Sequence, residues 1–242
     1  MRVAVVSDIH ANLPALEAVL ADLDAEEPDE LWCLGDLVGY GAHPNECCAA
    51  IADRAAICLA GNHDLAVRGT LPLDDFSGDA GAAARWTQSV LDDAAGRFLA
   101  RLEPQGGRAG VALYHGSARD PVWEYVLSDD AAEATLTLAG TPLVLVGHSH
   151  AALIAAQRQG ALSGGLAEAG LELDLAEGRF LLNPGSVGQP RDGDPRAAWL
   201  LLDLDARRAT FRRVAYDIPR AQAAIREQGL PETLAGRLEL GQ

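Results

Sequence analysis

The polar residues best suited to chemistry lie in five short clusters, and each cluster directly follows an apolar run. The clusters are Asp8-Ile9-His10, Gly35-Asp36, Gly61-Asn62-His63-Asp64, His115-Gly116-Ser117 and Gly147-His148-Ser149-His150. Five of the six histidines lie in these clusters, and only His43 lies elsewhere. Imidazole and carboxylate donors without thiolate are typical of sites for Mn, Fe, Zn, Ni or Co. The pattern therefore predicts a metal site inside a catalytic pocket.

The number of candidate ligands favours two ions over one. Each of the pairs Asp8/His10 and His148/His150 places alternate side chains on the same side of an extended strand end. The full candidate set is Asp8, His10, Asp36, Asn62, His115, His148 and His150. Such a set is too large for one tetrahedral zinc ion. It suits two ions about 3.5–4 Å apart with a shared carboxylate, which can clamp both oxygens of a displacement at phosphorus.

The elements that must position these clusters are five short strands. The apolar runs predict strands over 3–7, 31–34, 56–59, 111–114 and 143–146. In a doubly wound α/β sheet, the carboxyl ends of the parallel strands line one crevice. We therefore expect the five clusters to meet at that edge.

The remaining pattern predicts helices in the first half and antiparallel strands in the second. One helix is expected to begin after Asn12, which caps it, and another is expected to run through Glu133. Further helices are expected over 44–54, over 78–102 with a break near Asp92, and over 219–228. Strands are expected over 153–157, 171–175, 179–182, 198–203 and 210–215. The last dozen residues are expected to be loosely held. We interpret residues 1–242 as one α/β domain, with parallel βα units first and a mostly antiparallel second half.

Composition excludes several classes of function. The chain has 35 acidic and 19 basic residues, a net charge of −16, and no lysine. This charge argues against binding long nucleic acid and against a polybasic membrane anchor. We see no export signal or membrane span, and the four cysteines form no CxxC pair, so we expect free thiols and a cytoplasmic location. The expected partner is a small phosphate-ester substrate, and the oligomeric state is left open.

The ordered pattern Asp-x-His, Gly-Asp, Gly-Asn-His-Asp, His and Gly-His-x-His resembles the calcineurin-like metallophosphoesterase superfamily. The segment 183–191, Asn-Pro-Gly-Ser-Val-Gly-Gln-Pro-Arg, resembles its small bacterial phosphodiesterase branch. Together the resemblance extends to about Tyr216. It implies a four-layer α/β/β/α sandwich, which agrees with the parallel and antiparallel halves.

The resemblance also implies roles for individual residues. The first ion would be held by Asp8, His10, Asp36 and His150. The second would be held by Asp36, Asn62, His115 and His148, so that Asp36 bridges the ions; exchanging His148 and His150 would not alter the mechanism. His63 would face the substrate, with Asp64 orienting it.

The second cluster departs from the corresponding motif of the phosphoprotein phosphatases of the superfamily. In those proteins the motif resembles Gly-Asp-x-Val-Asp-Arg-Gly. Here Gly39 and Tyr40 stand where the phosphate-gripping arginine would be. Arg119 and Arg191 are the best-placed substitutes, with a structural ion pair as the alternative for each. Tyr40 and Tyr125 are candidate pocket walls.

These observations predict a hydrolase of phosphoric esters with a dinuclear centre of Mn, Fe or Zn. A metal-bridging hydroxide would attack phosphorus, while His63 protonates the leaving oxygen or stabilises the pentavalent oxygens. Small phosphodiesters or nucleotides are the expected substrates. The alternatives are a phosphomonoesterase or protein phosphatase, and a non-catalytic scaffold of the same fold. A nuclease acting on DNA ends is disfavoured by the negative charge.

Overall fold

The computed structural model describes residues 1–76 and 78–242. The strands in these ranges are β1 (Arg2–Val6), β2 (Glu30–Cys33), β3 (Ala55–Cys58), β4 (Gln105–Arg108), β5 (Val111–Tyr114), β6 (Leu143–Val146), β7 (Ala152–Arg158), β8 (Ala161–Leu166), β9 (Glu172–Asp174), β10 (Arg179–Pro184), β11 (Ala197–Asp203) and β12 (Arg208–Val214). The helices are α1 (Leu13–Ala25), α2 (Pro44–Arg54), α3 (Asn62–Val67), α4 (Gly78–Val90), α5 (Asp93–Leu99), α6 (Asp129–Ala139), α7 (Ile218–Glu227) and α8 (Glu232–Gly236).

The strands form two six-stranded mixed sheets. The first has the order β3-β2-β1-β11-β12-β9, and the second has the order β4-β5-β6-β10-β7-β8. Pairing is parallel from β1 to β3 and among β5, β6 and β10, and antiparallel elsewhere. The expectation that one doubly wound sheet gathers the polar clusters is therefore wrong. The five strands that precede the clusters are divided between two sheets, with β1, β2 and β3 in the first and β5 and β6 in the second. Strands β11 and β10 from the second half of the chain pair with β1 and β6.

The core between the sheets explains why these strands appear as continuous apolar runs. Successive side chains of a strand point to opposite faces. In β1, Val3 and Val5 enter the core between the sheets, whereas Ala4 and Val6 pack under the outer helices. The side chains of β6 alternate in the same way between the inner core and the outer face covered by α6. Burial on both faces removes the polar alternation that a half-exposed strand would show.

Helices cover both outer faces, so the four-layer α/β/β/α arrangement is confirmed. The cluster outside the first sheet joins residues of α1, α2 and α5, including Leu16, Val19, Ile51 and Leu99. Helix α6 covers the second sheet. The predicted cap at Asn12 and the predicted break near Asp92 are also confirmed, since the two side chains accept hydrogen bonds from backbone N–H groups of α1 and α5.

The C-terminal segment differs from the expectation of loosely held residues. Leu230, Leu234 and Leu238 are buried and pack with Ile225 of α7 and with Tyr40. The four-residue spacing of these leucines is a helical pattern that the sequence interpretation missed. The segment therefore packs beside the loop that follows β2.

Strands β4 and β8 were also missed. The sequence of β4, Gln-Gly-Gly-Arg, has no apolar alternation and forms a strand only through its pairing with β5. Strand β8 consists of small, mostly exposed residues at the edge of the second sheet. In both cases pairing overrides weak local preference. In the two described ranges, we find no helix with the length and hydrophobicity needed to span a bilayer.

Candidate metal centre

The five polar clusters lie together where the ends of the two sheets adjoin. In the first sheet, the His10 N–H donates to the carbonyl of Asp36 at 2.9 Å. In the second sheet, the Gly147 N–H donates to the carbonyl of His115, also at 2.9 Å. These bonds fix the loops that follow neighbouring strands against each other. The predicted meeting of the clusters is thus observed, although two sheets produce it.

Close backbone approach joins the loops of the two sheets. A Cβ atom at Gly147 would lie 2.2 Å from Ser7 Oγ, so a larger residue would separate the loops. With glycine there, the His148 N–H donates to Asp8 Oδ2 at 3.1 Å. The ligand clusters after β1 and β6 are therefore held in direct contact.

The first ligand group combines residues from both sheets. One donor atom from each lies within 4.8 Å of the others in the set Asp8, His10, Asp36 and His150. All four side chains are buried. This is the set that the resemblance implies for the first ion.

The hydrogen bonds of two histidines show why this group fits a cation. Nδ1 of His10 lies 3.0 Å from the carbonyl of Val38, and Nδ1 of His150 lies 2.7 Å from that of Gln189. A carbonyl only accepts, so each Nδ1 carries the proton and each Nε2 carries a lone pair. The two Nε2 atoms face each other at 3.0 Å. Two lone pairs at that distance repel unless a positive charge lies between them.

A shared proton is a poor candidate for that positive charge. Burial, followed by the charges of neighbouring groups, lowers the pKa of His10 and His150 well below the usual value. A metal ion is favoured instead, because imidazole lone pairs and carboxylates are its ordinary ligands.

The second ligand group follows the same logic. Nδ1 of His115 lies 2.9 Å from the carbonyl of Leu34, and Nε2 of His148 lies 3.2 Å from that of Trp123. The remaining ring nitrogens of the two histidines face each other at 3.2 Å. Oδ1 of Asn62 lies 3.2 Å from His115 Nε2 and adds a third donor. These lone pairs again converge where a cation would be coordinated.

Asp36 belongs to both groups. Its Oδ2 lies 3.6 Å from His10 Nε2 and 3.5 Å from His115 Nε2. Its other oxygen, Oδ1, accepts the N–H of His63 at 2.9 Å. One carboxylate oxygen is thus anchored to the backbone, while the other faces both ligand groups. This geometry fits a bridging ligand.

The carboxyl groups of the site are under electrostatic stress in the absence of a cation. Burial raises the pKa of Asp8 to about 7, and burial together with Asp64 and Asp8 raises the pKa of Asp36 well above its usual value. Within residues 1–76 and 78–242, Oδ1 of Asp8 is buried and has no hydrogen-bond partner. A cation would stabilise the ionised form of both carboxyl groups and would be coordinated by Oδ1 of Asp8.

The backbone of the ligand loops is strained. Five ligand residues have φ between 49° and 65°, namely Asp8, His10, Asp36, His148 and His150. Side chains other than glycine rarely adopt this left-handed region, and each such residue costs about 1–3 kcal/mol. The surrounding structure therefore holds these ligands in place against local preference, as is typical of functional sites.

Asp64 contacts backbone atoms rather than the ring of His63. Its Oδ1 accepts the N–H groups of Leu37 and Val38 at 2.9 and 3.2 Å, and its Oδ2 accepts that of Gly61 at 2.9 Å. The predicted orienting role needs this correction: these N–H groups use both carboxylate oxygens. Asp64 therefore fastens the loop after β3 to the loop after β2.

His63 is held by packing. Its ring contacts those of Tyr40 and Phe76, with centroids 4.5 and 4.8 Å away. Its Nδ1 is buried and has no hydrogen-bond partner in the part of the chain that the structure describes. A Cβ atom at Gly39, which has φ +88°, would lie 2.4 Å from that Nδ1. Gly39 stands one residue before Tyr40, which occupies the position of the protein-phosphatase arginine, and the lack of a side chain at Gly39 allows the His63 ring to approach.

The two candidate arginines have different surroundings. Arg119 donates to Glu124 from Nε at 3.1 Å and to Asp130 from Nη1 at 2.9 Å, which favours the ion-pair alternative. Arg191 donates from Nη2 to Gln189 Oε1 at 2.8 Å, and its guanidinium lies 5.7 Å from the ring centroid of Tyr40. Among the described residues it has no carboxylate within ion-pair distance.

Residues 183–191 hold the ligand loops in place through hydrogen bonds. The Asn183 amide donates to the carbonyl of Gly147 at 2.7 Å, and the Ser186 hydroxyl donates to that of Asp8 at 2.7 Å. The backbone N–H of Arg191 donates to the carbonyl of His150 at 3.0 Å. The segment that carries the phosphodiesterase resemblance therefore supports ligands of the first group, and it places Arg191 next to one of them.

Sequence reasoning named Tyr125 as a candidate pocket wall but missed its contact with His148 and two further features at the mouth of the site. The Tyr125 ring stacks on His148 with centroids 4.0 Å apart, and Trp123 contacts Phe76. Gln189 is also important, since its carbonyl fixes His150 and its side chain binds Arg191. Gln189 lies two residues before Arg191 in the motif segment, and this proximity was the sequence signal that could have identified it. No local sequence pattern marks the aromatic contacts.

Comparisons with known proteins agree with this geometry. The model of the calcineurin-like phosphoesterase superfamily domain matches residues 1–207. The uncharacterised protein MJ0912 of Methanocaldococcus jannaschii is 38% identical over 244 residues, covering 99% of this chain and 98% of that protein.

Two crystal structures have the same fold. The metallophosphoesterase from Sphaerobacter thermophilus is 41% identical, with a TM-score of 0.91, and the match covers 100% of this chain and 99% of that one. The hypothetical protein PH1004 from Pyrococcus horikoshii OT3 is 22% identical, with a TM-score of 0.81 and coverage of 100% and 98%, and shows the fold alone. The family model matches residues 1–207 of the chain, and two groups of candidate metal ligands lie at the ends of its sheets. The chain therefore belongs to the calcineurin-like phosphoesterase superfamily.

Proposed function

We propose that this protein hydrolyses small phosphodiesters or nucleotides with two transition-metal ions, Mn, Fe or Zn. The observation that carries the proposal is the pair of ligand groups that share Asp36 and lie beside His63. Two ions held there would neutralise phosphoryl oxygens and lower the pKa of a water molecule toward neutrality. Asp36 would hold the two ions at a fixed separation, and the other ligands would complete each site.

His63 would act as a hydrogen-bond donor to the phosphoryl group. Burial, followed by the charges of Arg191 and His148, lowers the pKa of His63 to about 3. Its ring is therefore neutral near pH 7, but a neutral imidazole still carries one N–H group. A fixed donor of this kind stabilises charge that develops on oxygen in the transition state. The structure thus supports the electrostatic role over proton donation to the leaving group.

The preference for diesters rests on the loop after β2. Tyr40 stands at the arginine position of the protein-phosphatase motif, so that arginine has no counterpart there, and the neighbouring Gly39 contacts His63 too closely to carry a side chain. A phosphomonoester dianion gains more from such a cation than a diester monoanion does, because Coulomb attraction scales with charge. The position of Arg191 beside His150 favours a phosphomonoesterase as the second candidate.

The other candidate functions have less support. A non-catalytic scaffold would be expected to lose metal ligands or His63, and this chain retains all of them. Long nucleic acid is a poor substrate for a protein with a net charge of −16.

A substrate panel tests the proposal. We would measure kcat/KM for bis-p-nitrophenyl phosphate, p-nitrophenyl phosphate and a phosphoserine peptide at a fixed Mn²⁺ concentration. The diester is expected to be the best of the three, and Asp36→Asn should abolish its hydrolysis. A preference for the phosphopeptide would favour the monoesterase. Full metal content with no hydrolysis of any substrate would favour the scaffold.

A further inference from the structure

We propose that Tyr125 and Trp123 form a stacking surface for the base of a nucleotide whose phosphate is bound at the metal centre. The inference rests on the proposed function and narrows its substrate class. Among small phosphodiesters, those that carry a nucleoside would be preferred, because the base adds a contact that an alkyl ester cannot make.

Trp123 and Tyr125 differ from the other aromatic side chains of this protein in their exposure. Across residues 1–76 and 78–242, they are the only tryptophan, tyrosine or phenylalanine residues that are exposed, at 37% and 46%. Trp32 and Trp199, by contrast, are buried in the core. The two exposed rings lie two residues apart in the loop between β5 and α6. Aromatic surface that is open to water and concentrated in one loop is typical of a binding site.

Both residues contact the second ligand group. The Tyr125 ring stacks on the ring of His148, with centroids 4.0 Å apart and an angle of 14° between the ring planes. The carbonyl of Trp123 lies 3.2 Å from Nε2 of the same histidine and accepts its hydrogen bond. A base stacked on the outer face of Tyr125 would therefore be separated from a candidate metal ligand by a single ring. A nucleotide joins its base to its phosphate through one sugar, so this position suits a base whose phosphate is at the metals.

Trp123 connects the stacking surface with His63. The Trp123 ring contacts that of Phe76, with centroids 5.4 Å apart, and the Phe76 ring contacts that of His63 at 4.8 Å. Phe76 is buried, so it supports the exposed indole from the protein side. The aromatic contacts therefore extend from His148, a candidate metal ligand, to His63, the proposed donor to the phosphoryl group.

The loop between β5 and α6 is held by its own hydrogen bonds. The Gly116 N–H donates to the carbonyl of Pro121 at 2.8 Å. Oδ1 of Asp120 accepts the N–H groups of Val122 and Trp123, both at 3.0 Å. The backbone that carries the two aromatic side chains is therefore ordered before a ligand binds, which lowers the entropic cost of binding.

The chemistry of this surface fits a base. Aromatic side chains bind bases by stacking, and this contact tolerates any base because every base has a π-face. A base also adds no negative charge, so a protein with a net charge of −16 does not repel it as it would a second phosphate. We therefore expect the surface to distinguish ligands that carry a base from ligands that lack one.

The test compares three ligands that share one phosphate group. Uridine 5′-monophosphate carries an aromatic base, 5,6-dihydrouridine 5′-monophosphate carries the same polar groups on a ring that is not aromatic, and ribose 5-phosphate carries no base. Calorimetry with the Mn²⁺-loaded protein measures the affinity for each. The wild type should bind uridine 5′-monophosphate about 5- to 100-fold more tightly than ribose 5-phosphate, as expected for one stacked base. The dihydrouridine compound should lose most of this advantage. If the protein hydrolyses these monoesters, the ratio of kcat/KM values for phosphate release replaces the ratio of affinities.

Substitutions in the loop locate the effect. Tyr125→Leu keeps an apolar side chain but removes the ring, and it should bring the affinity ratio of uridine 5′-monophosphate to ribose 5-phosphate close to 1. Trp123→Leu should lower the ratio in the same direction, whereas Tyr125→Phe keeps the ring and should retain the ratio. Leu127→Ala is the matched control, because Leu127 is exposed in the same loop but lines a different cavity together with Leu153 and Leu166.

The ratio is measured within each variant, so a loss of metal lowers both affinities and cancels. Equal affinities for uridine 5′-monophosphate and ribose 5-phosphate in the wild type would overturn the inference, even where diesters are hydrolysed and the proposed function stands. A ratio that survives in both Tyr125→Leu and Trp123→Leu would also overturn it, since Tyr125 would then serve only to hold His148. A preference for the base without hydrolysis of any diester would support the stacking surface and contradict the proposed function.

Discussion

The metal-ligand loops and the mouth of the site are held in different ways. The ligand side chains are buried, and several lie on strained backbone that both sheets hold in place. At the mouth, Trp123 and Tyr125 are 37% and 46% exposed, and Arg191 is oriented by Gln189 and Tyr40 alone. We infer that the ligand loops determine the reaction and that the mouth determines the substrate. Substitutions in the ligand loops should therefore change the metal content and kcat, and substitutions at the mouth should change KM.

The largest effect is expected from Asp36→Asn, since Asp36 is the only side chain common to both ligand groups in the described residues. Loss of its charge should weaken both ions. Activity should fall by more than the roughly 10–100-fold that an outer partner of a metal ligand costs. Elemental analysis of the purified variant measures the metal content, with the exposed Asp53→Asn as control. Two full equivalents of metal in Asp36→Asn would contradict the bridging role.

The next effect is expected from His63→Ala, which should keep both metals and lower kcat roughly 10²–10³-fold, as removal of an oxyanion donor does. Because burial keeps the His63 ring neutral, the loss should be similar for nitrophenyl and alkyl leaving groups. Stopped-flow or steady-state rates on both kinds of diester provide the measurement. A loss confined to alkyl leaving groups would show that His63 donates a proton to the leaving oxygen.

Metal affinity should depend on pH through the carboxyl groups rather than the imidazoles. The pKa of Asp8 is raised to about 7, so below that pH a metal must displace a proton and its affinity falls, by up to about tenfold per unit. The pKa values of His115 and His148 are lowered to about 3, so these rings are already neutral. Calorimetric titrations between pH 5.5 and 8.5 in two buffers would measure the protons released. A constant affinity across pH 7 would argue against the raised pKa of Asp8.

The smallest effect is expected at the mouth. Tyr40→Phe removes the hydroxyl that lies 3.3 Å from Arg191 and should raise KM by about 3- to 10-fold, as expected for one hydrogen bond, with kcat nearly unchanged. Arg119→Ala is the control, because its guanidinium is engaged by Glu124 and Asp130. An equal change in the two variants would mean that the mouth does not contact the substrate through Tyr40 and Arg191.

The difference between the ligand loops and the mouth also explains which parts of the structure could be predicted from the sequence. Most of the candidate ligands follow strands whose apolar runs are buried on both faces, so local sequence marks both the strand and its polar end; the exception is Asn62, which follows the partly exposed edge strand β3. The partition into two sheets has no local mark, because β10 and β11 choose their partners through tertiary packing. The bonds of Asp64 to backbone N–H groups were missed because spacing does not reveal acceptors.

The mouth was predicted less well for a related reason. Arg191 lies in a motif segment and could be proposed, whereas Leu234 and Leu238 reach the cavity beside Tyr40 only through the packing of a C-terminal helical segment. The aromatic contacts of Tyr125 and Trp123 depend on the course of a loop. Neither carries a pattern of spacing that would distinguish it from an ordinary surface residue.

The position of β10 and β11 has a consequence for synthesis of the protein on the ribosome. All seven ligand residues have been translated by residue 150, but the strands that complete the sheets come later. Strand β11 pairs with β1 from Arg2 to Val5, and β10 pairs with β6. Such long-range pairing forms slowly. The nascent chain would therefore expose its histidines and aspartates before it can bring the candidate ligands together, and the proposed metal binding would be a late, post-translational step.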